Sequence, residues 1–99
     1  MGITIGNLNF EGPYPDSAQL QSRSGVYAIL GRGATNWLVV DIGESTDVKD
    51  RVTNHDRKLQ WQRTGHAMLS VAALYCDATT RMKVEKQLRQ QYNPACGDR

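Results

Sequence analysis

Few cysteines and no long apolar run limit what this chain of 99 residues can be. Its two cysteines, Cys76 and Cys96, lack the Cys-x-x-Cys spacing of a zinc or redox motif, which favours unpaired thiols in a reducing cytoplasm over a disulfide. No apolar run approaches the ~20 residues of a membrane-spanning helix, and the first residues lack the basic-then-apolar pattern of a secretory signal. We therefore expect a cytoplasmic location and no membrane partner.

The net charge of the chain is also small. The formal charge is only +2, too small to identify a nucleic-acid-binding protein by itself. Its distribution is uneven, because residues 41–56 carry five acids against two bases and residues 57–89 carry seven bases against two acids. An acidic patch beside a basic half suits a metal site flanked by a phosphate-binding surface, and it suits ordinary solvated faces equally well.

The apolar pattern predicts one α+β domain. Residues 26–30 and 37–42 are short, β-branched and joined by a loop with two glycines and an asparagine, which indicates an antiparallel hairpin. Residues 66–75 are apolar on both alternating faces, as in a covered strand. Helical spacing and capping residues predict helices over residues 46–62 and 80–92. In the first 24 residues, 3–5 suit a short strand, 12–16 a turn, and 17–24 a loop or one helical turn.

One position breaks the apolar pattern of the predicted hairpin. Asp41 lies at the end of an otherwise apolar strand, and a buried carboxylate costs free energy unless it has a partner. A glycine, Gly43, follows two residues later, and the first strand carries Gly25 and Tyr27. The hairpin therefore presents polar side chains beside glycines.

This order of elements and residues resembles the GIY-YIG nuclease domain. Gly25-Val26-Tyr27 matches the first triplet of that family and Asp41-Ile42-Gly43 the second. Arg51 and His55 match polar residues of its first helix, Glu85 its metal-binding glutamate, and Tyr92-Asn93-Pro94 its C-terminal asparagine segment. The resemblance covers about residues 24–97, with residues 1–23 as an N-terminal extension of the same domain. It implies a three-stranded antiparallel sheet flanked by helices.

The resemblance also implies a metal-dependent endonuclease that cuts DNA with one Mg²⁺ or Mn²⁺. In this comparison the candidate catalytic residues are Tyr27, Asp41, Arg51, His55 and Glu85, and the candidate substrate-binding residues are Gly43, Lys49, Arg51 and Asn93. Glu85 would bind the metal, Arg51 a phosphate oxygen, and Tyr27 and His55 the proton of the attacking water. The expected partner is DNA, branched or damaged forms included, with specificity from the domain, a homo-oligomer or a partner protein.

The sequence departs from this family at Asp41, where the second triplet usually begins with tyrosine. A carboxylate beside Tyr27 would disfavour the phenolate that a tyrosine base needs. We expect Asp41 to join Glu85 as a metal ligand. Two alternatives stay open: Asp41 itself accepts the proton, or catalysis is lost and the domain only binds nucleic acid or a protein.

Each candidate also suits an ordinary structural role. Glu85 lies one helical turn from both Arg81 and Arg89, so a solvated ion-pair ladder accounts for it equally well. Arg51 suits a pair with Asp47, and Asn93 before Pro94 suits a helix end. The ordered set favours a nuclease more than any single residue does.

Overall fold

The computed structural model describes residues 2–32, 37–55, 61–63 and 68–94. Its strands are β1 (Gly2–Ile5), β2 (Leu8–Tyr14), β3 (Gly25–Arg32), β4 (Trp37–Ser45) and β5 (Leu69–Tyr75), and its helices are α1 (Val48–Thr53) and α2 (Ala78–Tyr92). A 3-10 turn covers Ser17–Gln19. The strands form one antiparallel sheet in the order β1-β2-β5-β3-β4. This confirms the α+β class, and no helix among these residues is long and apolar enough to cross a membrane.

The sheet in the described residues has five strands, so the predicted three-stranded sheet is too small. The two further strands, β1 and β2, come from the N-terminal extension. Their hairpin turns at Gly6 and Asn7, which both have positive φ (58° and 66°), as a two-residue hairpin loop requires. The predicted turn at 12–16 falls partly inside β2, where the register against β5 shifts between Glu11 and Tyr14. Proline is tolerated at such an irregularity, which explains why Pro13 does not end the strand.

The structure confirms one of the two predicted helices and shortens the other. Helix α2 begins at Ala78, two residues before the prediction, with Asp77 as its N-cap. Helix α1 ends at Thr53, with Asn54 as its C-cap, so one continuous helix over 46–62 is wrong. Its N-cap, Asp47, accepts a hydrogen bond from the backbone N–H of Asp50. The predicted residues 56–60, the strand start at 66–67 and Cys96 lie outside the described residues.

Strand β3 lies between β4 and β5, and its two faces contact two different apolar layers. Because side chains alternate along a strand, Tyr27 and Ile29 face the layer that contains Val48 and Val52 of α1. The opposite layer contains Val84 and Leu88 of α2. The even-numbered residues of β3 face this layer, and they are Val26, Ala28 and Leu30. The sheet thus holds α1 and α2 on opposite faces.

Strand β4 is an edge strand with a β-bulge. Ile29 of β3 pairs with Asp41 and the next residue, Leu30, pairs with Val39, so Val40 is the extra residue. A bulge bends its strand and changes the direction of the neighbouring side chains. Asp41 lies directly after this irregularity, at the edge of the sheet.

Candidate functional site

Asp41 is fully buried (0% exposed), and both of its carboxylate oxygens accept hydrogen bonds. Its Oδ1 accepts from Nη2 of Arg89 at 2.7 Å and from the backbone N–H of Ile42 at 2.8 Å. Its Oδ2 accepts from the indole Nε1–H of Trp61 at 2.7 Å. The partner that a buried carboxylate needs is therefore a guanidinium supported by two neutral donors.

This carboxylate joins the two layers of the fold. Arg89 belongs to α2, whereas Trp61 packs in the layer of α1. Arg89 also donates from Nε to Oε2 of Glu85 at 3.0 Å, one helical turn earlier. A single guanidinium thus contacts a buried carboxylate on the sheet and a half-buried carboxylate on its own helix, so Asp41 and Glu85 share one counter-ion.

Tyr27 lies across the hairpin from Gly43 and contacts His55. The register pairs Tyr27 with Gly43, and a Cβ on residue 43 would overlap the Tyr27 ring and hydroxyl. Glycine is therefore required here by close approach of an aromatic ring. The Tyr27 hydroxyl lies 2.5 Å from Nε2 of His55. Tyr27 is 1% exposed and His55 4%, so this contact is closed to solvent.

Ring packing connects these two sets of contacts. The ring centroids of His55 and Trp61 are 4.7 Å apart, and Trp61 is the residue that donates to Asp41. A continuous series of contacts, which we call the buried network, therefore runs from the hairpin to α2. Its members in order are Tyr27, His55, Trp61, Asp41, Arg89 and Glu85.

The remaining candidates belong to helices on opposite faces of the sheet, with Lys49 and Arg51 on α1 and Asn93 at the end of α2. Arg51 is exposed on α1 and Lys49 is half-buried on the same helix. Asn93 is the C-cap of α2, with left-handed backbone (φ 48°) and its N–H bonded to the carbonyl of Arg89 at 2.9 Å, which fits its role as a helix end. Glu85 and Asn93 line one cavity of about 360 Å³ together with Lys86, Arg89, Gln90 and Pro94.

The structure gives Asp41 a role that differs from the predicted metal ligand. Its oxygens are already bonded to Arg89, Trp61 and Ile42, and none of its surface reaches solvent. Among the described residues no group of three or more His, Cys, Asp or Glu side chains is arranged to hold a metal ion. Glu85 is therefore the candidate that could offer a carboxylate to a cation in the cavity.

Sequence reasoning missed two members of the buried network. The sequence indicates Arg89 only as a helical neighbour of Glu85, and it does not point to Trp61. The position of Asp41 on an apolar strand was the available signal, since a carboxylate there calls for a cationic or N–H donor. Comparisons of the chain with protein-family models, curated proteins and solved structures each found no match.

Proposed function

We propose that this chain is a GIY-YIG-type, metal-dependent endonuclease acting on DNA. The observation that supports this most directly is the contact between Tyr27 and His55, which continues through Trp61, Asp41 and Arg89 to Glu85. Four residues that the family resemblance selects from distant parts of the chain, Tyr27, Asp41, His55 and Glu85, thus belong to one connected set.

In this proposal Glu85 would hold one hydrated divalent ion. Mg²⁺ is commonly held by one or two carboxylates and several waters. The Glu85 side chain is 26% exposed, and its i,i+4 pair with Arg89 is of a kind worth only ~0.2–0.5 kcal/mol, so releasing Glu85 from that pair costs little. A bound Mg²⁺ or Mn²⁺ would neutralise charge on the phosphoryl oxygens.

The buried ion pair also removes the difficulty raised by Asp41. Arg89 offsets the negative charge of Asp41, so Asp41 adds no uncompensated charge beside Tyr27. When Nε2 of His55 is unprotonated, the Tyr27 hydroxyl donates to it, and Tyr27 would pass this proton to His55 as it accepts one from the attacking water. Arg51, exposed on α1, would bind a phosphate oxygen through its planar guanidinium, and Lys49 and Asn93 would contact the substrate backbone.

A cleavage assay tests this proposal. Duplex, single-stranded, flap and branched DNA are incubated with Mg²⁺ or Mn²⁺ and with wild type or Glu85→Gln. We expect cleavage that needs the metal and falls by about a hundredfold or more in the variant, because one source of charge stabilisation is lost. Glu44→Gln is the matched control, since Glu44 also pairs with an arginine of α2 but lies outside the buried network. Equal loss in both variants would contradict the assigned role of Glu85.

A second candidate function is a nucleic-acid-binding module of the same fold without catalysis. The near-complete burial of Tyr27 and His55 favours it, because an attacking water must reach the Tyr27 hydroxyl. Folded wild type that cuts none of the substrates, yet binds DNA with an affinity that falls steeply with salt, would select this function. Absence of both cleavage and salt-dependent DNA binding would instead favour a protein-interaction module.

A further inference from the structure

A cavity of about 280 Å³, which we call the α1 cavity, lies on the α1 side of the sheet and has no role in the proposed function. Three buried residues from different elements line it: Ile29 of β3, Val52 of α1 and Val71 of β5. Buried Trp61 and half-buried Leu69 line it as well. Protein interiors leave few voids larger than a water molecule, so an apolar cavity of this size is a candidate ligand site.

The mouth of the α1 cavity is polar. Its lining includes Asp16 and Gln62, which are exposed, and Ser17, which is half-buried. Thr53, the last residue of α1, donates from Oγ1 to Oγ of Ser17 at 2.9 Å, so the mouth adjoins the end of that helix. Oδ1 of Asp16 accepts from the backbone N–H of Ala18 at 2.8 Å, and the second carboxylate oxygen has lone pairs for a ligand. The cavity thus combines an apolar interior with hydrogen-bonding groups at its opening.

This combination fits a nucleobase. A base has apolar faces and a polar edge, and enzymes that take up extruded bases hold the ring between apolar side chains and read the edge by hydrogen bonds. An apolar cavity of about 150 Å³ holds a benzene ring, so the α1 cavity has room for a pyrimidine or a purine. Among its described lining residues Asp16 is the one charged side chain. Its negative charge disfavours a phosphate inside the cavity and favours an amino group.

The α1 cavity also adjoins the buried network. Ile29 lies two residues after Tyr27 on the same face of β3. Trp61 lines the cavity and packs against His55. Arg51 is exposed on α1 and is not among the described lining residues. A base inside the cavity would therefore leave its sugar and phosphate outside, on the side where α1 carries positive charge.

We propose that the α1 cavity binds one unpaired nucleobase of the DNA substrate, with the ring among the apolar side chains and a base amino group donating to Asp16. This inference rests on the proposed function and gives its substrate class, which is DNA with an unpaired base, as at a mismatch, a bulge or a branch. Extruding a base costs least where pairing is already lost. Cytosine and adenine carry an amino group where thymine and uracil carry a carbonyl, so Asp16 should favour the first two.

The test uses trinucleotides whose outer positions are abasic and whose central position carries cytosine, uracil or no base. The three ligands share one phosphate backbone and differ only at the centre. Each is titrated without metal into ¹⁵N-labelled protein, and the amide signals of Ile29, Val52, Leu69 and Val71 report occupancy of the cavity. Wild type should bind the cytosine ligand about tenfold more tightly than the ligand without a base, and about fivefold more tightly than the uracil ligand.

Two variants separate the polar mouth from the apolar interior. Asp16→Asn keeps a capping side chain without the charge and should reduce the preference for cytosine over uracil to about twofold or less. Asp77→Asn is the matched control, because Asp77 is also an exposed N-cap but belongs to α2 and is not among the described lining residues. Leu69→Ala should weaken the cytosine ligand about threefold and leave the ligand without a base unchanged.

Equal binding of the cytosine ligand and the ligand without a base, cavity amides that do not shift, or a preference for cytosine that survives Asp16→Asn would overturn the inference. Binding of cytosine in the cavity by a wild type that cuts no DNA would refute the nuclease and leave the base site standing. Metal-dependent cleavage without any response of the cavity amides would refute the base site and leave the nuclease standing.

Discussion

Helix α2 makes two arginine contacts to strand β4 that have the same length and very different surroundings. Arg81 reaches Glu44 and Arg89 reaches Asp41, each at 2.7 Å. The two arginines are equally exposed (14%), but the Glu44 side chain is 32% exposed and that of Asp41 is 0% exposed. Water can take the place of Arg81 around Glu44, whereas Asp41 depends on its protein partners.

Burial, and not distance, therefore decides what each contact contributes. A solvated pair adds little because water serves both charges almost as well. A buried pair adds little over an apolar pair of the same shape, yet removing one member leaves a charge without solvent or partner. The comparison predicts that truncating the arginine at each end of α2 lowers the free energy of unfolding by different amounts.

The largest difference is expected when each arginine is truncated. Arg89→Ala leaves the carboxylate of Asp41 buried without its counter-ion and should lower the free energy of unfolding by ~3–5 kcal/mol. Arg81→Ala leaves Glu44 in contact with water and should cost about 1 kcal/mol or less. Urea unfolding of the two variants and wild type measures both values. Equal costs would show that the burial difference is unimportant.

The neutral donor to Asp41 should have a smaller effect. Trp61→Phe keeps a ring beside His55 but removes the indole N–H that donates to Oδ2 of Asp41. It should lower the free energy of unfolding by ~1–3 kcal/mol. Trp37→Phe is the matched control, because Trp37 stacks under the Arg32 guanidinium with its ring centroid 4.9 Å away and should cost only ~0.5–1 kcal/mol. Urea unfolding again gives the two values, and a costlier Trp37 variant would contradict the role of the buried acceptor.

The smallest effect concerns pH at the solvated end of α2. Asp77 is exposed, and hydrogen bonds from Thr80 hold the pKa of its carboxyl below the ordinary 3.8, with a further lowering by Arg81. A carboxyl whose pKa is lower in the folded state contributes stability that is complete above the unfolded pKa and is lost as pH falls through the folded pKa. Asn also caps helices but does not titrate in this range.

Asp77→Asn should therefore differ from wild type by a constant amount near neutral pH, with wild type losing its contribution on acidification. Thermal unfolding of both proteins from about pH 7 to about pH 3 measures the change in this difference. A difference in melting temperature that stays constant over the whole range would show that the Asp77 cap does not depend on its charge.

Local sequence signals account for most of the fold that was predicted. The hairpin of β3 and β4 and helix α2 were found because their apolar periodicity and capping residues are contained within short segments. The hairpin of β1 and β2 was recognisable from Gly6-Asn7 between two apolar runs, but the prolines at 13 and 15 masked it. The early end of α1 was not recognisable, since the apolar spacing continues past Thr53.

The candidate site was likewise predicted in part from the sequence. Tyr27, His55, Asp41 and Glu85 were selected from the sequence, and they belong to one buried network. Arg51 and Lys49 were selected with them, and their roles as substrate contacts remain predictions. The requirement that Asp41 have a partner followed from its apolar strand, but Arg89 lies 48 residues away, and periodicity carries no information over such a separation.

The sequence by itself determined that this chain is an α+β domain, where its central hairpin and last helix lie, and that a carboxylate on an apolar strand needs a partner. These properties follow from local propensity and from the cost of burying charge. Only the tertiary structure decided that Arg89 and Trp61 satisfy Asp41 from opposite layers and that Glu85 shares its guanidinium with a buried residue. Those choices depend on how the sheet edge, the bulge at Val40 and the two layers meet in space.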